Sequence, residues 1–283
     1  MIIKEKRYAF IGCDNSYKES NIVLFGAPFD STSSFRPGSR FAPSSIRTDS
    51  IGMELYSPYL DKSLSEINVF DGGDLVLPFG DAKKSLDRIE KYTTQVVKDN
   101  KIPVMLGGEH LVTLGAVKGV LKKYPDLHVI HFDAHTDLRD EFFDEKLSHA
   151  TVIRRVHDLI GDNKIFQFGI RSGEKEEFEW AKTHSCLTKF NFDGLESAIE
   201  KVKAKPVYFT IDLDVLDPSY FWGTGTPEPG GVTFLQLLEA MGKVAKGCTI
   251  VGCDINELSP PYDTSGASTA VACKLLRELL LQL

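Results

Sequence analysis

Leu127-His128-Val129-Ile130-His131-Phe132-Asp133-Ala134-His135-Thr136-Asp137 is the stretch from which the rest of the chain can be read. Its first part, 127–132, is a short and nearly continuous apolar run, as a strand covered on both faces requires. Its second part places Asp133, His135 and Asp137 at i, i+2 and i+4. In extended backbone such positions project to one side, so the three side chains are expected to converge just beyond the strand.

The same construction recurs to either side. Predicted strands lie at 22–25, 67–70, 103–106, 127–132, 165–168, 207–211 and 249–254. Helical patterns lie between and after them, at 82–100, 111–123, 151–160, 174–183, 195–203, 233–246 and 265–280. Strand–helix alternation along the whole chain predicts an α/β fold in three layers, α/β/α, with one central, mostly parallel sheet of about eight strands. No repeat or long linker divides the chain, so residues 1–283 are expected to form a single domain. Two Gly/Pro-rich segments, 27–43 and 217–231, exceed simple connections, and such loops tend to build sites.

Two further clusters follow predicted strands. Gly107-Gly108-Glu109-His110 follows 103–106, and Asp212-Leu213-Asp214-Val215-Leu216-Asp217-Pro218 follows 207–211. All C-terminal ends of a parallel sheet lie on one edge, where ligands bind. His110, Asp133, His135, Asp137, Asp212 and Asp214 are therefore expected to meet, as four carboxylates and two imidazoles. Carboxylates crowded without cations repel one another and hold protons. Divalent metal relieves that repulsion, and six ligands with bridging carboxylates suffice for two ions. Oxygen-rich donors with some imidazole and no thiolate favour manganese.

Other readings are excluded or bland. The chain carries 40 Asp and Glu against 33 Lys and Arg, a net charge of −7, and no basic run marks it for nucleic acid. No stretch is long and apolar enough to span a membrane. The five cysteines are scattered and odd in number, which fits a reducing compartment better than a disulfide framework. The first residues lack a signal-peptide pattern, so a cytoplasmic protein is expected. Gly223-Thr224-Gly225-Thr226-Pro227 is not followed by the Lys-Ser/Thr of a phosphate loop. Asp71-Gly72-Gly73-Asp74 reads as a turn, and His128, His157 and His184 show no partner pattern.

Together these motifs resemble the ureohydrolase family, which includes arginase and agmatinase. The likeness runs from Gly26-Ala27-Pro28-Phe29-Asp30 through residues 35–43, 133–137 and 212–227 to Asp254-Ile255-Asn256-Glu257. It implies an arginase-like fold and a binuclear manganese (Mn2+) centre. One ion would be held by His110, Asp133, Asp137 and Asp212, and the other by His135, Asp133, Asp212 and Asp214. His149 matches the family's proton-transfer histidine, and Glu257 its carboxylate for the substrate guanidinium. The chain departs from the family pattern at Glu109, Leu111 and Ala150, where Asp, Ser and Gly are usual.

The implied reaction is hydrolysis of a small cationic guanidino compound to urea and an amine. Residues 138–148 hold four acids against two bases and lack the Asn of the arginase pattern. That balance favours an ammonium over a carboxylate, and Lys146-Leu147-Ser148-His149 looks more like the agmatinase branch. Agmatine, giving putrescine and urea, is therefore the expected substrate. The alternatives are the reactions of guanidinobutyrase, arginase, formimidoylglutamase or a guanidino-polyamine hydrolase. A metal-bound scaffold without activity is disfavoured, because all six ligands, His149 and Glu257 are present. The resemblance also implies a homo-oligomer, a trimer or hexamer.

Overall fold

The structure is a computed structural model that describes residues 9–283. Its strands are β1 (Ile22–Gly26), β2 (Tyr56–Ser57), β3 (Lys62–Ser63), β4 (Val69–Asp74), β5 (Ile102–Leu106), β6 (His128–Phe132), β7 (Ile165–Ile170), β8 (Cys186–Lys189), β9 (Pro206–Asp212) and β10 (Thr249–Asn256). Its helices are α1 (Ala42–Asp49), α2 (Ala82–Lys98), α3 (Val112–Leu121), α4 (Val152–Ile160), α5 (Lys175–His184), α6 (Leu195–Val202), α7 (Phe234–Gly247) and α8 (Ala267–Leu280). Eight strands form one sheet in the order β4-β1-β5-β10-β9-β6-β7-β8. Every pairing in it is parallel. The expected α/β/α arrangement with about eight strands is therefore observed, and the sheet is wholly parallel. The short antiparallel pair β2–β3 stands apart.

Side-chain alternation divides the core between the two faces of the sheet. Leu24, Val104, Ile130, Phe209 and Cys253 belong to one apolar layer, with Ile46 of α1, Leu237 and Met241 of α7, and Leu276 of α8. Phe25, Met105, Val129, Tyr208 and Val251 belong to the other, with Ile89 of α2, Val117 of α3 and Val156 of α4. The helices earn these positions from their sequences. In α7 the buried Leu237, Met241 and Val244 recur at helical spacing, and Thr233 and Gln236 close a reciprocal cap at its start. Each fully buried Leu or Val contributes about 1.5–3 kcal/mol relative to exposure.

Register then fixes the site. Leu106 pairs with Ile255, Ile255 with Ile211, and Ile211 with Phe132. These four residues form one row across β5, β10, β9 and β6, and the chemistry-bearing residues begin one step beyond it.

Three local expectations change. The edge strand β8 was not foreseen, because Cys-Leu-Thr-Lys is only partly buried and lacks an apolar run. Helix α1 was also missed. Pro43 suits its first turn, but Ser44, Ser45 and Thr48 read as loop. The Asp71–Asp74 stretch is not a turn but the end of β4. Arg47 of α1 grips Asp71 with two nitrogens, at 2.7 and 3.0 Å, and also bonds Asp74. That cation ties the end of the strand to α1.

Candidate active site

The site is assembled from segments that leave the C-terminal edge of the sheet. At β5 the chain passes through Gly107 and Gly108. A side chain at Gly107 would run into the Asn256 side chain, and one at Gly108 into the Phe29 backbone. Only glycine allows this close approach. It delivers Glu109 and His110 beneath the 27–43 loop, with the Glu109 amide donating to Phe29 O at 2.8 Å.

The six expected side chains meet at one place. His110 Nδ1 lies 3.1 Å from Asp133 Oδ2, 3.0 Å from Asp137 Oδ2 and 3.5 Å from Asp212 Oδ2. His135 Nδ1 lies 3.0 Å from Asp214 Oδ2 and 3.6 Å from Asp133 Oδ1. Asp133 thus faces both histidines, one with each oxygen. Convergence does not come from a continued strand, however. Strand β6 ends at Phe132, and Asp137 has φ +53°, so the backbone curls and returns Asp137 toward His110. The Asp137 carbonyl then accepts the amides of Ile153 and Arg154 at the start of α4. After β9, Asp212 Oδ1 accepts the Asp214 amide at 2.9 Å, which sets the short turn between these two carboxylates.

His149 and Glu257 face the same cleft, a cavity of about 230 Å³ also lined by Arg139, Phe142, Glu174, Glu177 and Thr226. Glu257 follows β10 with φ +65° and accepts the His110 amide at 2.8 Å on Oε1. His149 opens a short 3₁₀ turn capped by Ser148. Its Nδ1 lies 2.8 Å from the Thr32 carbonyl, which can only accept, so Nδ1 carries the proton and Nε2 is left for chemistry. Glu109 supports this contact from below. Its carboxylate accepts the Thr32 amide at 2.9 Å and the Thr32 hydroxyl, and the Thr32 oxygen accepts the His149 amide at 3.1 Å. The Glu109 departure is thus absorbed by Thr32, and Leu111 is fully buried.

Electrostatics mark the cluster as an acid site with no Lys or Arg paired to it among the described residues. Among the described residues only histidines pair with Asp133, Asp137, Asp212 and Asp214. Burial, then the charge of Asp133, pushes Asp137 up to about 6. Burial and the charges of Asp214 and Asp133 push Asp212 well above the usual carboxylate range. Burial and Glu109 do the same to Glu257. Burial opposes charge on His110 and His135, yet the surrounding carboxylates win and raise both well above 6.5. Burial lowers His149 to about 4.

Ligand atoms of His110, His131, Asp133 and Asp137 lie within 4.8 Å of one another, as do those of Asp133, His135 and Asp214. Two groups sharing Asp133, with oxygen and imidazole donors, suit a pair of divalent cations. His131 is the residue the sequence reading passed over. It is fully buried, and its Nε2 lies 2.7 Å from Asp133 Oδ2. The signal was its place two residues before Asp133 on a strand, hence on the same face.

The acids of residues 140–145 do not line the cleft. Asp140 pairs outward with Arg155 at 2.6 Å, and Glu141, Asp144 and Glu145 are exposed. The wall acids are Glu174 and Glu177, at the start of α5. They flank Arg139 at 2.9 and 3.7 Å.

Comparison with known proteins agrees with this geometry. A family model described as the Arginase family matches residues 20–282, and the chain belongs to that family, whose members are metal-dependent hydrolases acting on guanidino C–N bonds. It is 50% identical to the agmatinase of Bacillus anthracis over 276 residues, covering 96% of this chain and 95% of that one. It is 48% identical to the agmatinase of Bacillus subtilis over 275 residues, with the same coverage. The crystal structure of the agmatine ureohydrolase of Thermoplasma volcanium superposes with a TM-score of 0.89 at 36% identity, over 98% of this chain and 94% of that one. Among the described residues no helix is long and apolar enough to cross a membrane.

Proposed function

We propose that the protein, as a single catalytic domain, hydrolyses agmatine to putrescine and urea with two manganese ions. His110, Asp133, Asp137 and Asp212 would hold one ion, and His135, Asp133, Asp212 and Asp214 the other. The observation that carries this reading is the convergence of four buried carboxylates, buried His110 and half-buried His135, with no Lys or Arg paired to them among the described residues. Two divalent ions held there would lower the pKa of water toward about 7 and so supply hydroxide at neutral pH.

The chain's own residues do the rest. A guanidinium carbon is a poor electrophile because its charge is delocalised, so orientation matters. Glu257 is anchored on Oε1 by the His110 amide, which leaves Oε2 to pair with a guanidinium N–H and aim its carbon at the cluster. An arriving cation offsets the burial and the Glu109 charge that push Glu257 upward. His149, fixed through Nδ1–H, would pass to the departing amine the proton that the attacking water releases to its bare Nε2. Ser34 Oγ stands 3.2 Å from that nitrogen and orients it.

Agmatine is favoured over arginine by the outer wall. Arg139 is occupied by Glu174 and Glu177, so it offers no free cation to a substrate carboxylate. The exposed Glu174 carboxylate suits a distal ammonium. The close agmatinase relatives support the same choice. The protein is further proposed to be cytoplasmic and homo-oligomeric, a trimer or hexamer, as its family membership suggests.

The test is a panel of agmatine, arginine, guanidinobutyrate, formiminoglutamate and aminopropylagmatine on manganese-reconstituted protein, scored for urea or formamide. Agmatine should give the highest kcat/KM. Preference for another member would replace the substrate, and no turnover of any would overturn the enzymatic reading.

A further inference from the structure

We infer that His131 and Gln167 form a positioning pair that holds Asp133 in place for metal binding, with His131 acting as a hydrogen-bond donor and not as a metal ligand. His131 lies on β6 and Gln167 beside it on β7, paired in register, and both are fully buried. The Gln167 amide nitrogen lies 2.8 Å from the Thr136 carbonyl and 3.1 Å from His131 Nδ1. A carbonyl can only accept, so the NH₂ end of Gln167 must face Thr136 and His131. The Ser185 hydroxyl, 3.3 Å from Gln167 Oε1, fixes the amide the same way round. Gln167 therefore donates to His131 Nδ1, which must carry a lone pair. The imidazole proton is left on Nε2, 2.7 Å from Asp133 Oδ2.

That hydrogen bond occupies one lone pair of Oδ2. Asp133 Oδ1 accepts the His135 amide at 2.5 Å, so both oxygens are pinned and each retains a lone pair for a cation. Groups that orient a ligating carboxylate in this way commonly contribute 10–100-fold to metal affinity. The proximity of His131 to His110, Asp133 and Asp137 would also admit a ligand role, but Nε2 cannot both donate to Asp133 and coordinate.

The inference rests on the metal reading above, and the experiment separates the two. In the full-length metal-free protein labelled with ¹⁵N-histidine, long-range ¹H–¹⁵N correlation should show His131 with Nε2 protonated and Nδ1 bare, unchanged on addition of diamagnetic zinc. Manganese titration by calorimetry should show His131→Phe binding about 10–100-fold more weakly, while His131→Gln, whose terminal amide can donate from the Nε2 position, binds close to wild type. Loss of the Nε2 proton on metal addition would make His131 a ligand and overturn the inference. Wild-type affinity in a folded His131→Phe, or no rescue in a folded His131→Gln, would overturn it as well. If a variant does not fold, the tautomer and its response to zinc in the wild-type protein decide. A wild-type protein that binds no manganese would instead remove the metal reading, leaving the tautomer result to stand alone.

Discussion

Two acidic clusters sit at C-terminal ends of strands in this molecule, and they behave differently. At β4, Asp71 and Asp74 surround the buried Arg47 guanidinium. Asp71 also accepts the Phe10 and Gly73 amides at 2.9 Å. Its charge and its lone pairs are both used internally. At β6 and β9, the ion-pair partners of Asp133, Asp137, Asp212 and Asp214 among the described residues are all histidines, and burial pushes Asp137 and Asp212 upward. The first cluster is balanced by a fixed guanidinium, while the second is balanced only by imidazoles, which can give up their protons to a metal ion. Sequence pattern alone does not separate an Asp pair of one kind from the other; the presence or absence of a partnering Arg does.

Breaking the second cluster should cost activity, and breaking the first should cost stability. The largest effect is expected for Asp133→Asn or Asp212→Asn, where metal-dependent urea release should fall at least about 10³-fold, a loss on the scale of removing a major transition-state electrostatic contact. Full activity in either variant would dissolve the contrast. His149→Ala should lower kcat by about 10²–10⁴-fold, the usual worth of a general acid–base, with metal content retained by elemental analysis. Arg47→Met should leave Asp71 buried without its cation and cost about 3–5 kcal/mol in denaturant unfolding, with unchanged manganese stoichiometry.

The smaller predictions concern ligand and pH. Manganese at about 100 times its dissociation constant should stabilise the wild type by about 2.7 kcal/mol and Asp133→Asn by much less. His149 is held near 4 by burial, below its value of about 6.5 in an unfolded chain. Its contribution to stability is therefore complete above about pH 6.5 and is lost as pH falls toward 4. His149→Gln should flatten the stability curve in that window. A wild-type slope there would mean that His149 is not the titrating group.

What the sequence made legible follows the same division. Strands β5, β6, β9 and β10 are short apolar runs buried on both faces, so their pattern was unambiguous, and the six candidate ligands follow their ends directly. Glu257 and His149 were reached through family resemblance, since neither carries a spacing signal of its own. The parts that were missed depend on distant partners. Asp71 is paired with Arg47, 24 residues earlier. The acids that line the cleft are Glu174 and Glu177, brought in by α5, and not those of residues 140–145. Strand β8 is a half-buried edge without a pattern. His131 reads in sequence as one more residue of a strand, and only its hydrogen bond to Asp133 sets it apart.

If the acidic cluster at β6 and β9 holds two metal ions, they should share Asp133. Electron paramagnetic resonance of the manganese-reconstituted protein, with metal content measured on the same sample, tests it most directly. Two manganese ions per chain with a spin-coupled spectrum, lost in Asp133→Asn, are expected. One ion per chain with an uncoupled spectrum, or a coupled pair that survives in Asp133→Asn, would contradict it.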